Sequence, residues 1–255
     1  MQFTGAIPSQ HDPRDFDFHK SELFAGAVPV PPRDYDFRHL HTWRVQGAPS
    51  CVEYSLVAKV QALAAAQGKP LEPLCANLAW WGARNLASPP GTAIVGSSCR
   101  LAIKYARDRG LKPEYVFPDA PENFARVPPA DALEAMPTVR VKSYHRIRGE
   151  GDPDMLRSGI LAAFALLDAG GQCSFANGVL PVGDGYANVP DGQAWDGTIG
   201  SPWGTHDQAI GLYRSVDDCV GFLSSWGGER VFWVPIAVLA KLGFEFWIID
   251  GLVYA

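Results

Sequence analysis

The segment "VQGAPSCVEYSLVAKVQALAAAQG", residues 45–68, decides the fold because it joins a Gly/Pro turn to an alanine-rich segment with apolar residues at helical spacing. Gly68 predicts the end of this helix. Ser50 and Glu53 match an S-x-x-E capping box, which places Cys51 at the first helical position. The free N–H groups and the dipole of a helix N-terminus favour an anion, so a cysteine there is biased towards the nucleophilic thiolate.

The composition indicates a folded globular protein of one large domain or two lobes, with 255 residues, of which 47% are hydrophobic and 19% are charged. A net charge of −5 argues against a nucleic-acid-binding surface, which needs clustered basic residues. The chain has no apolar run long enough to span a bilayer, and its start lacks the basic flank and apolar core of a secretory signal. We therefore expect synthesis in the cytoplasm and neither a nucleic-acid nor a membrane partner.

The five cysteines are scattered and include no CxxC pair, which argues against a zinc site and against a disulfide framework. Four of them lie among apolar residues and are predicted to be core thiols: Cys75, Cys99, Cys173 and Cys219.

Composition and hydrophobic periodicity divide the chain into three parts. Residues 1–45, rich in Pro, Asp and aromatic residues, predict an extended arm that lies either on the body of the protein or in a cleft. Residues 46–137 are mainly helical and residues 138–255 are rich in β-strands. Beyond residues 50–67, helices are predicted at 71–86, 97–110, 153–171 and 235–242, and a strand at 138–147.

Cys51 and His206 form the candidate reactive pair, followed by a polar residue within "FLSSWGG", residues 222–228. An imidazole facing a thiol can accept its proton and later protonate a leaving group. The large separation in sequence is expected when the two side chains lie on different lobes. Asp207 is predicted to point to the opposite side of the strand that carries His206.

Several segments together resemble papain-like cysteine peptidases, in particular the bacterial and bacteriophage type with an N-terminal arm. The matching segments are "PSQHDPRDF" (8–16), "DYDFR" (34–38), "VQGAPSC" (45–51), "LEPLCANLAWWGARNL" (71–86), "GSSCRLAIKYARDRGLKPEYVFP" (96–118), "GTHDQAIGLY" (204–213) and "FLSSWGG" (222–228). The last two segments are the most specific, and the resemblance covers most of the chain.

The resemblance implies an α+β fold of papain type, with a helical lobe, a β-rich barrel-like lobe and a cleft between them. It implies that Cys51 is the nucleophile and His206 the base of a cysteine peptidase that acts through an acyl-thioester. Gln46 would stabilise the oxyanion together with the Cys51 N–H group. Trp226 would shield the histidine from water. The implied partner is a peptide or protein substrate, with no metal and no organic cofactor.

Gly96 and Ser97 stand where the family has an extended edge that pairs with the substrate backbone. The chain departs from the family in three respects. Ser224 occupies the place of the asparagine that orients the histidine, and a hydroxyl is shorter than an amide. The interval from Gln46 to Cys51 is one residue short. Glu53 replaces a small or apolar residue, either as a capping partner or as a charge that opposes thiolate formation.

These departures leave two further functions open. One is a catalytically weak or inactive papain fold that serves as a structural or interaction protein, for instance in a bacteriophage particle, which predicts a virion-associated protein. The other is a cell-wall peptide hydrolase that keeps the Cys–His chemistry.

Overall fold

The computed structural model describes residues 5–9, 12, 15–27, 29–86, 96–124, 126–242 and 245–255. The helices within these residues are α1 (Glu22–Ala27), α2 (Cys51–Ala66), α3 (Ala76–Asn85), α4 (Cys99–Asp108), α5 (Ala130–Glu134), α6 (Pro153–Asp168), α7 (Asp184–Ala187) and α8 (Ile236–Leu242). The strands are β1 (Tyr35–Asp36), β2 (Val139–Ile147), β3 (Cys173–Gly183), β4 (Pro202–Arg214), β5 (Cys219–Leu223), β6 (Val231–Pro235) and β7 (Glu245–Tyr254). None of the helices in the described residues has the length and apolar character needed to cross a bilayer.

All seven strands belong to one antiparallel sheet with the order β2-β7-β3-β4-β5-β6, and the short β1 pairs with β4. The long β4 connects the two parts of this sheet. Residues 202–208 of β4 pair with β3, and residues 209–214 pair with β5. His206 and Asp207 therefore lie on the part of β4 that pairs with β3.

Helix α2 forms the centre of the molecule, with fourteen of its sixteen residues buried. A helix that is apolar on all sides is expected in a core, and α2 packs against β3, β4 and the neighbouring helices α3 and α4. The helix predicted over residues 50–67 is confirmed. Its burial places the first residue, Cys51, where the helices meet the sheet.

The helical lobe is tightly packed where α3 crosses α4. Gly82 of α3 faces the ring of Tyr105, and a Cβ atom at position 82 would lie 2.0 Å from the Tyr105 Cε2 atom. Helix α3 begins at Ala76, later than the predicted residue 71, because Leu74 forms a bridge with Pro113 before the helix starts. The Cys75 sulfur then caps α3 by accepting a hydrogen bond from a backbone N–H group.

Candidate active site

Cys51 is the first residue of α2, as predicted, but the predicted capping box is wrong. The Ser50 side chain makes no capping hydrogen bond, and Glu53 N–H donates to the Ser50 carbonyl oxygen at 3.1 Å instead. The Glu53 carboxylate accepts a hydrogen bond from Ser97 Oγ. Glu53 therefore connects α2 to the edge that holds Ser97.

The Glu53 side chain is completely buried, and its second carboxylate oxygen has no hydrogen-bond partner among the described residues. Burial raises the pKa of this carboxyl to about 8, although the Ser97 hydrogen bond works in the opposite direction. Of the two interpretations of Glu53, the structure therefore favours a group that faces the interior near Cys51, where its charge opposes thiolate formation once the carboxyl ionises.

The Cys51 thiol is fully buried, and the backbone N–H groups of Asp207 and Gly5 act on it as hydrogen-bond donors. Burial raises its pKa above the usual range, with further contributions from the Asp207 and Glu53 carboxylates, while the two N–H groups partly offset this effect. The expected bias towards thiolate at a helix start is thus outweighed by dehydration in this arrangement.

His206 lies on β4 with its ring stacked on the indole of Trp226, at a centroid distance of 4.3 Å and an angle of 18°. Burial lowers the pKa of His206 to about 3, so the ring is neutral at physiological pH. Neither ring nitrogen has a hydrogen-bond partner within the described part of the chain. The structure therefore places Trp226 and His206 together, but no hydrogen bond from the described residues orients the ring.

Ser224 and Gln46 are both buried. The Ser224 hydroxyl accepts a hydrogen bond from the Trp226 backbone N–H at 3.1 Å. Gln46 is joined to the neighbouring Ser225 by two hydrogen bonds, and its side-chain amide donates to the Ala48 carbonyl at 2.8 Å. Gln46 is thus fixed between the loop before Cys51 and the loop after Ser224.

Asp207 points to the opposite side of β4 from His206, as predicted, and contributes a buried polar cluster that the sequence did not indicate. Its carboxylate accepts hydrogen bonds from the Asn177 side chain, from Gly178 N–H at 3.0 Å and from Cys99 Sγ at 3.5 Å. Burial raises the pKa of Asp207 well above its usual range. Cys99 is a buried thiol as predicted, but it contacts a carboxylate rather than apolar residues alone.

Residues 5–9, named here the arm segment, lie across Cys51 between the two lobes. Gly5 and Ile7 pair with the backbone of Ser97, with N···O distances of 3.0 and 2.9 Å. On the other side, the Thr205 hydroxyl donates to the Ala6 carbonyl. Of the two locations left open for the arm, this segment of it occupies the cleft. The rest of the "HDPRDF" phrase is described only in part, since His11, Pro13 and Arg14 lie outside the described residues.

Gly5 and Gly96 permit this close approach. A Cβ atom on Gly5 would lie 2.4 Å from the Pro49 carbonyl oxygen, and one on Gly96 would lie 2.2 Å from the Gly5 carbonyl oxygen. Gly96 also has a φ of +138°, which favours glycine. The edge formed by Gly96 and Ser97 is therefore shaped to pair with an extended backbone.

Glu245 at the start of β7 holds the far end of the arm segment. Its carboxylate accepts two hydrogen bonds from Ser9, one from the backbone N–H and one from Oγ at 2.7 Å. The indole of Trp247 donates to the same carboxylate at 2.6 Å. Glu245 was not among the residues predicted from the sequence, although an acidic residue directly before an apolar strand is a weak signal of a buried, functional carboxylate.

No protein-family model matches the sequence, and no curated protein matches it. Solved structures do match. Xylellain, a cysteine protease from Xylella fastidiosa, is 20% identical with a TM-score of 0.72, and the match covers 97% of this chain and 95% of that chain. The cysteine protease CMS1MS2 from Carica candamarcensis, in complex with E-64, is 18% identical with a TM-score of 0.61 over 86% of this chain and 98% of that chain.

A third match, proCathepsin B S9 from Trypanosoma congolense, is 12% identical with a TM-score of 0.64 over 99% of this chain and 87% of that chain. Identities this low carry the fold but not the roles of individual residues, and a bacterial or bacteriophage type stays a prediction. Helix order, sheet topology and these likenesses together identify the fold of this chain as the predicted papain-like, two-lobed α+β fold.

Proposed function

We propose that this chain is a cysteine peptidase that hydrolyses peptide bonds through an acyl-thioester on Cys51. The observation that carries the proposal is an extended segment of chain that covers Cys51 at the start of α2 and is held by Ser97 on one side and by Thr205, the neighbour of His206, on the other. The bridge between Ala6 and Ser97 supports the proposal, because Ser97 belongs to the edge that the resemblance assigns to the substrate backbone. The papain-like fold of the chain and its likeness to cysteine proteases support the same function.

In this proposal, the neutral His206 accepts the Cys51 proton, and the thiolate attacks the substrate carbonyl carbon. The Cys51 N–H group and the Gln46 amide stabilise the oxyanion. His206 then gives its proton to the leaving amine, and a water molecule hydrolyses the thioester. Trp226 covers one face of the ring and limits competing hydrogen bonds from solvent.

The arm segment holds the enzyme in a resting form. Its contacts dehydrate Cys51, which raises the pKa of the thiol, while burial lowers the pKa of His206. Both changes favour the neutral pair over the thiolate–imidazolium pair. Displacement of the arm segment rehydrates the cleft and admits substrate.

The test uses the full-length chain and one matched pair of substitutions. Gly5→Ala introduces a Cβ atom 2.4 Å from the Pro49 oxygen and should displace the arm segment, whereas Gly26→Ala adds a methyl group where no atom lies within 4 Å. The rate of Cys51 alkylation by iodoacetamide, followed by peptide mass spectrometry, and the hydrolysis of a labelled protein are measured together. Gly5→Ala should increase both rates, and Gly26→Ala should match the parent chain.

Cys51→Ala in the Gly5→Ala background should abolish hydrolysis. The proposal fails if Cys51 in Gly5→Ala reacts no faster than a free thiol, or if hydrolysis persists without Cys51. Purified peptidoglycan, included as a second substrate, tests the cell-wall prediction.

A second candidate is a catalytically weak papain fold with a structural or interaction role. It is favoured by the Ser224 hydroxyl, which contacts the Trp226 N–H group while both His206 ring nitrogens lack a partner among the described residues. If ring orientation limits the rate, Ser224→Asn in the Gly5→Ala background should raise kcat by roughly 10- to 100-fold. Ser201→Asn on the exposed surface is the control. Assembly into a larger, virion-like particle stays a prediction.

A further inference from the structure

A cavity in the helical lobe lies where the C-terminal ends of α3 and α4 meet the start of β2. Its volume is about 420 Å³, within the range of about 300–1,000 Å³ that is typical of small-molecule sites. Cys99, the first residue of α4, contacts Asp207 below the cleft, whereas Tyr105 and Arg109 at the other end of this helix line the cavity. The ten residues of α4 span about 15 Å, so the cavity is separate from the cleft.

The walls of the cavity are largely apolar. Trp81 of α3 and Tyr105 of α4 contribute aromatic rings, and Leu133 and Pro137 add aliphatic surface. Gly82 allows the Tyr105 ring to lie directly against α3, because a Cβ atom at position 82 would overlap this ring. Aromatic and aliphatic walls of this kind favour a ligand with a flat apolar body.

The polar groups that line the cavity include several donors without a partner. The Tyr105 side chain is only 8% exposed, yet its hydroxyl makes no hydrogen bond with any residue that the structure describes. The guanidinium groups of Arg109 and Arg140 likewise form no hydrogen bond or ion pair within the described ranges. Lys112 differs, because its Nζ donates to two carbonyl oxygens of α5. A buried hydroxyl without an acceptor costs free energy, and a ligand with oxygen acceptors would satisfy it.

The charge around the cavity is positive. Arg109, Lys112 and Arg140 line it. The acid among the described lining residues is Asp108, which forms an ion pair with Arg107 at 2.7 Å. The C-terminal ends of α3 and α4 oppose the positive charge, but each carries only about half a negative charge. The two arginines alone therefore exceed the two helix ends, and an anion is the complementary ligand.

We propose that this cavity binds a small anion with a flat apolar body, a carboxylate or a phosphate ester, through Arg109 and Arg140 with the Tyr105 hydroxyl as a further donor. Guanidinium groups bind both kinds of anion through paired hydrogen bonds. The aromatic walls hold the apolar body. The site is independent of the proposed peptidase function, because its lining residues do not belong to the candidate active site.

Binding to the full-length chain is measured by isothermal titration calorimetry at neutral pH with three probes that share one ring system. These are 2-naphthoate, 2-naphthyl phosphate and the neutral 2-naphthamide. At least one anion should bind about 10-fold or more tightly than 2-naphthamide, since hydrogen bonds to charged groups contribute more than neutral ones. The anion that binds more tightly identifies the preferred group, carboxylate or phosphate.

Two variants locate the binding site. Arg109→Gln combined with Arg140→Gln should weaken binding of the preferred anion by about 10-fold or more and leave 2-naphthamide binding unchanged. Tyr105→Phe keeps the ring and removes the hydroxyl, and it should weaken the same anion by about 5- to 10-fold.

The matched control combines Lys20→Gln with Lys69→Gln, which removes the same charge from exposed positions outside the cavity and should bind the anions as the parent chain does. The inference is overturned if 2-naphthamide binds as tightly as both anions, or if the control weakens anion binding as much as the arginine variant does. A chain that binds neither anion saturably overturns it as well. Because hydrolysis is not measured, these results stand apart from the test of the peptidase.

Discussion

Replacement of Glu53 by glutamine should stabilise the protein, and the gain should depend on pH. The buried Glu53 carboxyl accepts a hydrogen bond from Ser97, and its other oxygen has no partner among the described residues. The amide oxygen that Glu53→Gln introduces can accept the same hydrogen bond, and the amide group has nearly the size of a protonated carboxyl. The substitution therefore removes the ionisation while it preserves the packing.

The magnitude follows from the pKa of Glu53, which burial raises from 4.5 to about 8. Below pH 4.5 the carboxyl is protonated in the folded and unfolded chains, and the two proteins should have similar stabilities. As the pH rises, the unfolded chain loses its proton first, so the parent protein loses stability until the folded chain ionises as well. At about 1.4 kcal/mol per pH unit, the free energy of unfolding of Glu53→Gln should exceed that of the parent by about 5 kcal/mol above pH 8.

Urea denaturation at pH 4.5, 6, 7 and 8.5 measures this difference directly. Exposed Glu134→Gln serves as the control, and its stability should follow that of the parent at each pH. If the difference between Glu53→Gln and the parent chain is the same at pH 4.5 and pH 8.5, then Glu53 is hydrated and the argument from burial is wrong.

Three further substitutions test the packing around the site. Lys59→Met should stabilise the protein by up to about 5 kcal/mol below pH 7, because burial lowers the pKa of Lys59 from 10.5 to about 7. If the gain in stability persists above pH 10.5, where the lysine is neutral in both the folded and the unfolded chain, this explanation is wrong. Gly82→Ala should destabilise by about 1–3 kcal/mol, since the added Cβ meets Tyr105 at 2.0 Å, and thermal unfolding should show a smaller loss in a Tyr105→Leu background. Arg44→Met should cost about 3–5 kcal/mol by leaving buried Asp119 without its ion pair at 2.7 Å; a urea midpoint like that of the parent would refute this role.

The fold could be predicted from the sequence where local pattern and burial agree. The apolar, alanine-rich segment of α2 is buried on all sides, so a simple helical pattern predicts it well. Strand β2, predicted at 138–147, is found at Val139–Ile147 for the same reason. Helix α3 starts late because Leu74 pairs with Pro113, a contact between residues far apart in sequence.

Only those residues of the candidate site that belong to recognisable sequence motifs could be predicted. The sequence indicated Cys51, His206 and Trp226, and the structure brings the last two into direct contact. A capping role for Glu53 was also predicted and is wrong, because its carboxylate accepts a hydrogen bond from Ser97, 44 positions away, in the interior. The partnership of Ser9 and Glu245 joins residues 236 positions apart, and local pattern holds no information on such a pair.

Because the arm segment belongs to the same chain as the body of the protein, its binding in the cleft is an intramolecular equilibrium. A short tether keeps a binding segment at an effective concentration of the order of millimolar, so weak individual contacts are enough to keep the cleft occupied. The resting state should therefore be independent of protein dilution. A separate peptide with the sequence of residues 5–9 would need about millimolar concentration to match it.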